Sequence, residues 1–374
     1  MGKNSVVPIT VALILALTGC AGPATPAASG PSTSPSTTPA AELSSAPASR
    51  FDVTCADLVS IAELEALFGA NDYEPRLDWA PSVSPVKYAV QNTGGLSCTW
   101  GNDDVPVGGI PNPTYDELTV QVLPDATAAQ IELHVADHPQ GDAQPFGDSS
   151  GTICFAHSGL CTSNIVVGEA WIEVFLEGAN VSDPASDADV LALAAPVLRT
   201  ITKRVATAAA SNTTPAVAAV AARTDCEVIL PAATVQSVFQ AAELPVHTTY
   251  HGGGWSVMTG AATLAGVTRC IVGPAGSDAA LANLEMLPHG AWAFDSAQVQ
   301  SGVWAAHEPV DVAGVTEQAY LLCPVGTISA CSVDFIVGDD WVRLGTFING
   351  QRPVEATDRD QVLELAGHVA AALE

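Results

Sequence analysis

Cysteine is the residue type in this chain whose spacing most directly specifies chemistry. Eight of the nine cysteines form two sets of four: Cys55, Cys98, Cys154 and Cys161, then Cys226, Cys270, Cys323 and Cys331. Successive gaps are 43, 56 and 7 residues in the first set and 44, 53 and 8 in the second. Eight cysteines admit on the order of a hundred pairings. Two sets that are copies of each other must share one scheme, which leaves three. The closely spaced pair flanks Phe155–Leu160 in one copy and Pro324–Ala330 in the other. Each of these loops joins adjacent strands, so the two sulfurs start near each other. The expected bridges are therefore Cys55–Cys98, Cys154–Cys161, Cys226–Cys270 and Cys323–Cys331. By loop-closure entropy each long link contributes about 4 kcal/mol and each short one about 2.5 kcal/mol.

The remaining reactive residues define no reaction. The chain has no Ser-x-x-Lys with Lys-Thr-Gly, no His-Glu-x-x-His and no phosphate-cradling glycine loop. Acids are so numerous that no carboxylate pair stands out as a glycosidase couple. No catalytic residue, metal site or cofactor is assigned. His134 and His138 lie four apart on one face of an expected helix, close to Asp137 and Asp142, a spacing that can bind a metal; histidines near a helix C-terminus are also favoured by the dipole without any ligand. His247, Tyr250, His251 and Trp255 surround a Gly252–Gly254 run and are the candidate binding residues, because aromatic and imidazole groups on a loop are well placed for contact. Trp171 and Trp341 share strand faces with Glu173 and Arg343. The expectation is that each indole packs under helices, with a ligand platform as the alternative.

Charge narrows the partners. The 374 residues carry a net charge of −28 and only 12 Lys and Arg. No Lys or Arg occurs from Tyr88 to Leu198. Phosphate-backbone binding needs clustered cations, so nucleic acid is excluded as a partner. An anionic membrane surface would also repel the body.

The elements that hold these residues occur twice. Cys161–Trp171 and Cys331–Trp341 carry Cys, Val-Gly-acid and Trp at identical offsets. Period-two alternation places Cys161, Ser163, Ile165 and Val167, or Cys331, Val333, Phe335 and Val337, on one face of a strand. Gly168-Glu169 and Gly338-Asp339 are suited to two-residue hairpin turns. A helix follows Ser60 and stops at Gly69, and its counterpart spans Pro231 to Ala242. Strands are expected at Leu96–Trp100 and Glu117–Leu123, and helices at Asp125–His138, Asp187–Arg204 (kinked at Pro196), Ala291–Ser301 and Asp358–Leu373. Asn71–Gly95 reads as a long connection. The organisation is a diverged tandem duplication: 51–205 is one αβ module, 206–222 a linker and 223–374 the second module. The expected class is α+β, two tandem αβ-sandwich modules, each a twisted, mainly antiparallel sheet with helices on one face.

Residues 1–20 read as an export signal. Lys3 precedes an apolar run, Val6–Leu17, that is too short to span a bilayer. Leu17-Thr18-Gly19-Cys20 resembles the bacterial lipobox, which implies that Cys20 is lipidated and becomes the mature N-terminus. Acyl anchoring gains about 0.8 kcal/mol per buried methylene. Export also places the other cysteines where disulfides persist. Residues 21–50, rich in Ala, Pro, Ser and Thr, read as a tether.

Lipobox, tether, a cysteine before a short helix and Cys98-Thr99-Trp100 on a strand together resemble a set of actinobacterial secreted lipoproteins. These are known as a domain of unknown function and are similar to extracellular sensor domains of actinobacterial kinases. The second module departs from the pattern with Cys270-Ile271-Val272. The resemblance implies a PsbP-like αβ sandwich on the outer face of the cytoplasmic membrane. It implies a non-catalytic protein that binds or senses an envelope protein or cell-wall component, held to the membrane through Cys20. A cell-wall-acting hydrolase and a lipid carrier are the alternatives.

Overall fold

The computed structural model describes residues 46–71, 73–76, 84–102, 115–126, 131, 142–180, 186–211, 218–241, 246–250, 256–274, 280–300, 307–325, 330–346 and 354–374. Among them no helix is long and apolar enough to cross a membrane.

In chain order the first half contains α1 (Cys55–Leu58), α2 (Ile61–Phe68), β1 (Glu74–Arg76), a 3-10 turn (Pro85–Tyr88), α3 (Ala89–Asn92), β2 (Leu96–Gly101) and β3 (Glu117–Leu123). There follow β4 (Asp142–Ala143), β5 (Ser149–Phe155), β6 (Leu160–Val167), β7 (Ala170–Glu177) and α4 (Asp187–Ser211). The second half contains α5 (Cys226–Ile229), α6 (Ala232–Val238), β8 (Val246–Tyr250), α7 (Val257–Leu264), β9 (Thr268–Pro274), β10 (Ala282–Leu287) and α8 (Ala291–Gln300). It ends with β11 (Glu308–Val310), β12 (Ala319–Leu322), β13 (Cys331–Val337), β14 (Asp340–Thr346) and α9 (Ala356–Leu373).

Each half builds one seven-stranded sheet, with strand orders β1-β2-β3-β7-β6-β5-β4 and β8-β9-β10-β14-β13-β12-β11. Every recorded pairing is antiparallel. The two orders are the same order, strand for strand. The α+β class and the duplicated sheets thus follow the sequence pattern. The central hairpins turn through Gly168-Glu169 and Gly338-Asp339, pairing Val167 with Ala170 and Val337 with Asp340. The two glycines have φ of 58° and 64°, a conformation that a Cβ disfavours.

One face of each sheet is covered by its own helices. In the first, α2 and α4 close over Cys161, Ile165, Val174 and Val120. Ser60 caps α2: its N–H donates to Glu63 Oε2 at 2.7 Å, and Arg204 Nη1 reaches the same oxygen at 2.8 Å, tying α2 to α4. In the second, α5, α6 and α9 cover Cys331, Val333, Phe335 and Leu344. The fully buried Cys98, Cys270 and Cys331 sit inside these cores.

A third core lies on the opposite faces, between the two sheets. It is built from Tyr88, Val90, Leu123 and Trp171 of the first half and Val257, Ala261, Trp292, Phe294, Ile336 and Trp341 of the second. Its construction is reciprocal. Helix α7, from the second half, lies on β3 and β7 of the first sheet, while the Pro85–Tyr88 turn, from the first half, lies on β10 and β14 of the second. The strands met are equivalent in the two copies, so each half lends the other its helix before the second strand.

Several expectations change in detail. Asn71–Gly95 is not a plain connection: it holds β1, the 3-10 turn and α3. Short edge elements containing Pro75 or Pro85 give no readable period. Helix α4 runs on to Ser211, into the stretch expected to begin the linker, and passes Pro196 without ending. The proline ring is exposed, and Thr200 Oγ1 donates to Pro196 O at 3.0 Å. Helix α6 is shorter than expected, Ala232–Val238, because Gln240 adopts φ 52°. Of Asp125–His138, Asp125 is a turn residue with φ 54° and Ala126 is not helical, so no helix starts there; Ile131 is helical, and 127–130 and 132–138 lie outside the described set.

Candidate functional site

The four disulfides join the expected partners: Cys55–Cys98, Cys154–Cys161, Cys226–Cys270 and Cys323–Cys331. Their Cα–Cα separations are 5.6, 4.1, 5.6 and 4.2 Å, within or close to the usual range. The long links tie α1 to β2 and α5 to β9. Cys154 and Cys161 are direct cross-strand partners. These cysteines are structural. Cys20 lies outside the described residues.

Of the candidate binding residues, His247 and Tyr250 lie on β8, the outermost strand of the second sheet. His251 and Trp255 lie outside the described residues, as do His134 and His138. Strand β8 pairs with β9 from Val246↔Pro274 to Tyr250↔Cys270. Val246 reaches into the helix-side core, and Thr248 Oγ1 donates to Leu230 O at 2.9 Å. His247, Thr249 and Tyr250 are exposed.

The four sheet edges differ in how they meet solvent. Edge strand β1 is Glu-Pro-Arg, and β11 is Glu-Pro-Val with Glu308 held by Arg359 at 2.6 Å. Edge strand β4 has only two residues. Proline, charge and brevity all discourage pairing with another chain. Strand β8 has none of these: it is five residues, Val-His-Thr-Thr-Tyr, of high strand propensity and no formal charge outside the histidine. Its equivalent in the first sheet is β1, so the two copies have diverged at this one edge.

The tryptophan strands carry a second polar cluster, within the seam between sheets. Trp341 is fully buried, and its Nε1 donates to Asp334 Oδ1 at 2.9 Å. Arg343 grips the same buried carboxylate from Nε at 2.9 and 3.0 Å and from Nη2 at 2.8 Å. In the first sheet Asn164 replaces Asp334: Trp171 Nε1 donates to Asn164 Oδ1 at 3.0 Å. Glu173 replaces Arg343, and its Oε2 accepts the backbone N–H of Val257, the first residue of α7, at 3.0 Å. Burial pushes the Glu173 carboxyl up to about 7, against the opposing pull of that N–H. Asn92 completes the seam: it donates through Nδ2 to Pro288 O at 3.1 Å and accepts from Trp292 Nε1 at 3.0 Å. The indoles pack under helices, between the sheets: Trp171 lies against Gly260 on α7 of the second half, and Trp341 against Tyr88 of the first half and Phe294 on α8 of its own half. The inversion at Asn164/Asp334 and Glu173/Arg343 was visible in the aligned repeats, but only the packing shows that both positions face the seam.

Surface grooves flank the first module. One, 680 Å³, is bordered by Asp52, Asp57, Arg199, Lys203 and Arg204 along α4. Another, 280 Å³, lies beside the Gly168 turn against Arg50 and Asp125. Among the described residues no group of three or more His, Cys, Asp or Glu is arranged to hold a metal ion.

Compared with known proteins, the chain matches no family, no curated protein and no solved structure.

Proposed function

We propose that this chain is a lipid-anchored, extracytoplasmic protein of the cell envelope that binds or senses a partner without catalysing a reaction, and that it does so by accepting an extended segment of an envelope protein at β8. The observation that carries the reading is the β8 edge, whose free side pairs with no strand among the described residues. A strand presents a row of backbone donors and acceptors on its free side, and an added strand satisfies them while alternate side chains supply specificity. His247, Thr249 and Tyr250 are the exposed groups beside that row. The address rests on the Leu17-Thr18-Gly19-Cys20 lipobox and agrees with the four disulfides. The resemblance to actinobacterial lipoproteins and kinase sensor domains points the same way.

Two variants test the parts separately. Cys20→Ala should move the protein out of the membrane fraction and remove the acyl mass; an unchanged fraction and mass would defeat the address. His247→Lys with Thr249→Lys places charges on the edge and should abolish recovery of crosslinked partner from intact envelopes. Unchanged recovery would defeat the strand-addition reading while leaving the address intact.

A further inference from the structure

We propose that the segment accepted at β8 is a basic, amphipathic strand: its apolar side chains, at alternate positions, lie toward α5, its polar ones lie toward the seam, and Lys or Arg give it a net positive charge. A partner so described presupposes the strand addition at β8 proposed above. Alternate residues of a strand face opposite sides of its sheet. Val246 enters the helix-side core, and Thr248 Oγ1 donates to Leu230 O, the residue after α5, so Val246, Thr248 and Tyr250 face the helices. Tyr250 is the direct cross-strand partner of Cys270, and the Cys226–Cys270 bridge holds α5 over that face. Helix α5 and β8 are in contact. Tyr250 is 36% exposed, and Val228 on α5 is 62% exposed. The other exposed large apolar residues among those described, Ile61, Phe155 and Val325, stand apart on α2, at the end of β5 and beyond β12. Apolar residues scattered singly are ordinary on a surface, whereas two beside an unpaired row of backbone groups make the apolar wall of a strand site. On the seam side the row is flanked by His247 and Thr249, both polar and exposed.

The two copies differ at this wall as a unit. Arg76 pairs with Thr99 and Thr249 with Ile271, each one residue past the bridged cysteine of the neighbouring strand. Glu74, Pro75 and Arg76 therefore correspond to His247, Thr248 and Thr249. On the adjoining helices Asp57 corresponds to Val228, each two residues after the helix-leading cysteine. The first copy thus sets charge and proline at these positions, which deter an added strand. The second copy sets β-branched and apolar residues there, on the strand and on the helix above it, which favour one.

Charge selects among apolar strands. The chain carries a net charge of −28. Along the exposed approach to α5, Asp225 and Glu227 outnumber Arg223. Such a field speeds the encounter with a cationic segment and repels an acidic one of the same apolar pattern, and it weakens as salt is added.

The test is selection from a displayed library of random peptides about nine residues long, enough to span β8 with flanks, on the full mature chain. Enriched peptides are synthesised for affinity titration and for amide exchange of residues 246–250. They should alternate apolar and polar residues, carry net positive charge and slow exchange of 246–250. Their affinity should fall about tenfold or more in Val228→Asp, which removes one apolar contact from the wall, and should weaken steadily with added salt. Val228 is exposed and the first copy holds Asp57 at the same place, so the variant keeps the fold. Enriched peptides that are neutral or acidic, that lack the alternation, or that bind Val228→Asp as tightly as the parent would overturn the proposal and leave strand addition standing. Peptides that leave exchange of 246–250 unchanged, or a library from which none is enriched, would overturn the strand addition as well.

Discussion

Replacing Arg343 by Met isolates the energetics of the seam. Asp334 is fully buried, and Arg343 supplies three of the four hydrogen-bond contacts recorded for its carboxylate, with Trp341 Nε1 supplying the other. Methionine keeps the apolar stem and removes the cation. A buried carboxylate stripped of its partner costs about 3–5 kcal/mol, mostly as uncompensated desolvation. The first sheet shows the remedy, because Asn164 holds the Trp171 indole without any charge. Asp334→Asn in the Arg343→Met background should therefore recover all but about 1 kcal/mol. Asp334→Asn alone should cost about 1–2 kcal/mol, since Arg343 keeps some access to water. Urea denaturation at pH 7, followed by tryptophan fluorescence, gives the cycle, with an expected coupling of about 3–6 kcal/mol. A cost below about 1 kcal/mol for Arg343→Met, or additive effects in the double variant, would refute the claim that the ion pair is needed only because Asp334 is buried.

Two other outcomes follow from the same packing. Converting Cys55 and Cys98 to Ser should cost about 4 kcal/mol, and converting Cys154 and Cys161 about 2.5 kcal/mol, measured as free energies of urea unfolding; equal losses would contradict the loop-length argument. Gly260→Leu should cost about 1–3 kcal/mol by driving α7 away from Leu123 and Trp171, and should raise exchange in α7 before it raises exchange in α9; a neutral effect would mean that the seat is looser than described.

The sequence carried the repeated parts well. The hairpins, the Gly turns and all four bridges were readable because each appears twice, and a copy constrains its copy. The seam was not readable. Residues 85–92 and 257–264 are short segments, and their burial depends on a surface provided by the other half. Glu173 and Arg343 stand at one repeat position with opposite charge, which marks them as different but not as facing the seam. The edge strands were missed for a related reason: Glu74–Arg76 and Glu308–Val310 carry the prolines that disguise a strand in sequence. His247 and Tyr250 stood out as aromatic and imidazole groups, whereas their place on an open edge depends on sheet order.

The most direct test of the functional account is photocrosslinking in intact cells, with the reactive side chain placed at Thr249 on β8 or at Pro309 on β11, the opposite and protected edge of the same sheet. The account predicts a discrete crosslinked envelope protein from position 249 and none from position 309. Crosslinks of equal strength from both positions, or none from position 249, would contradict it.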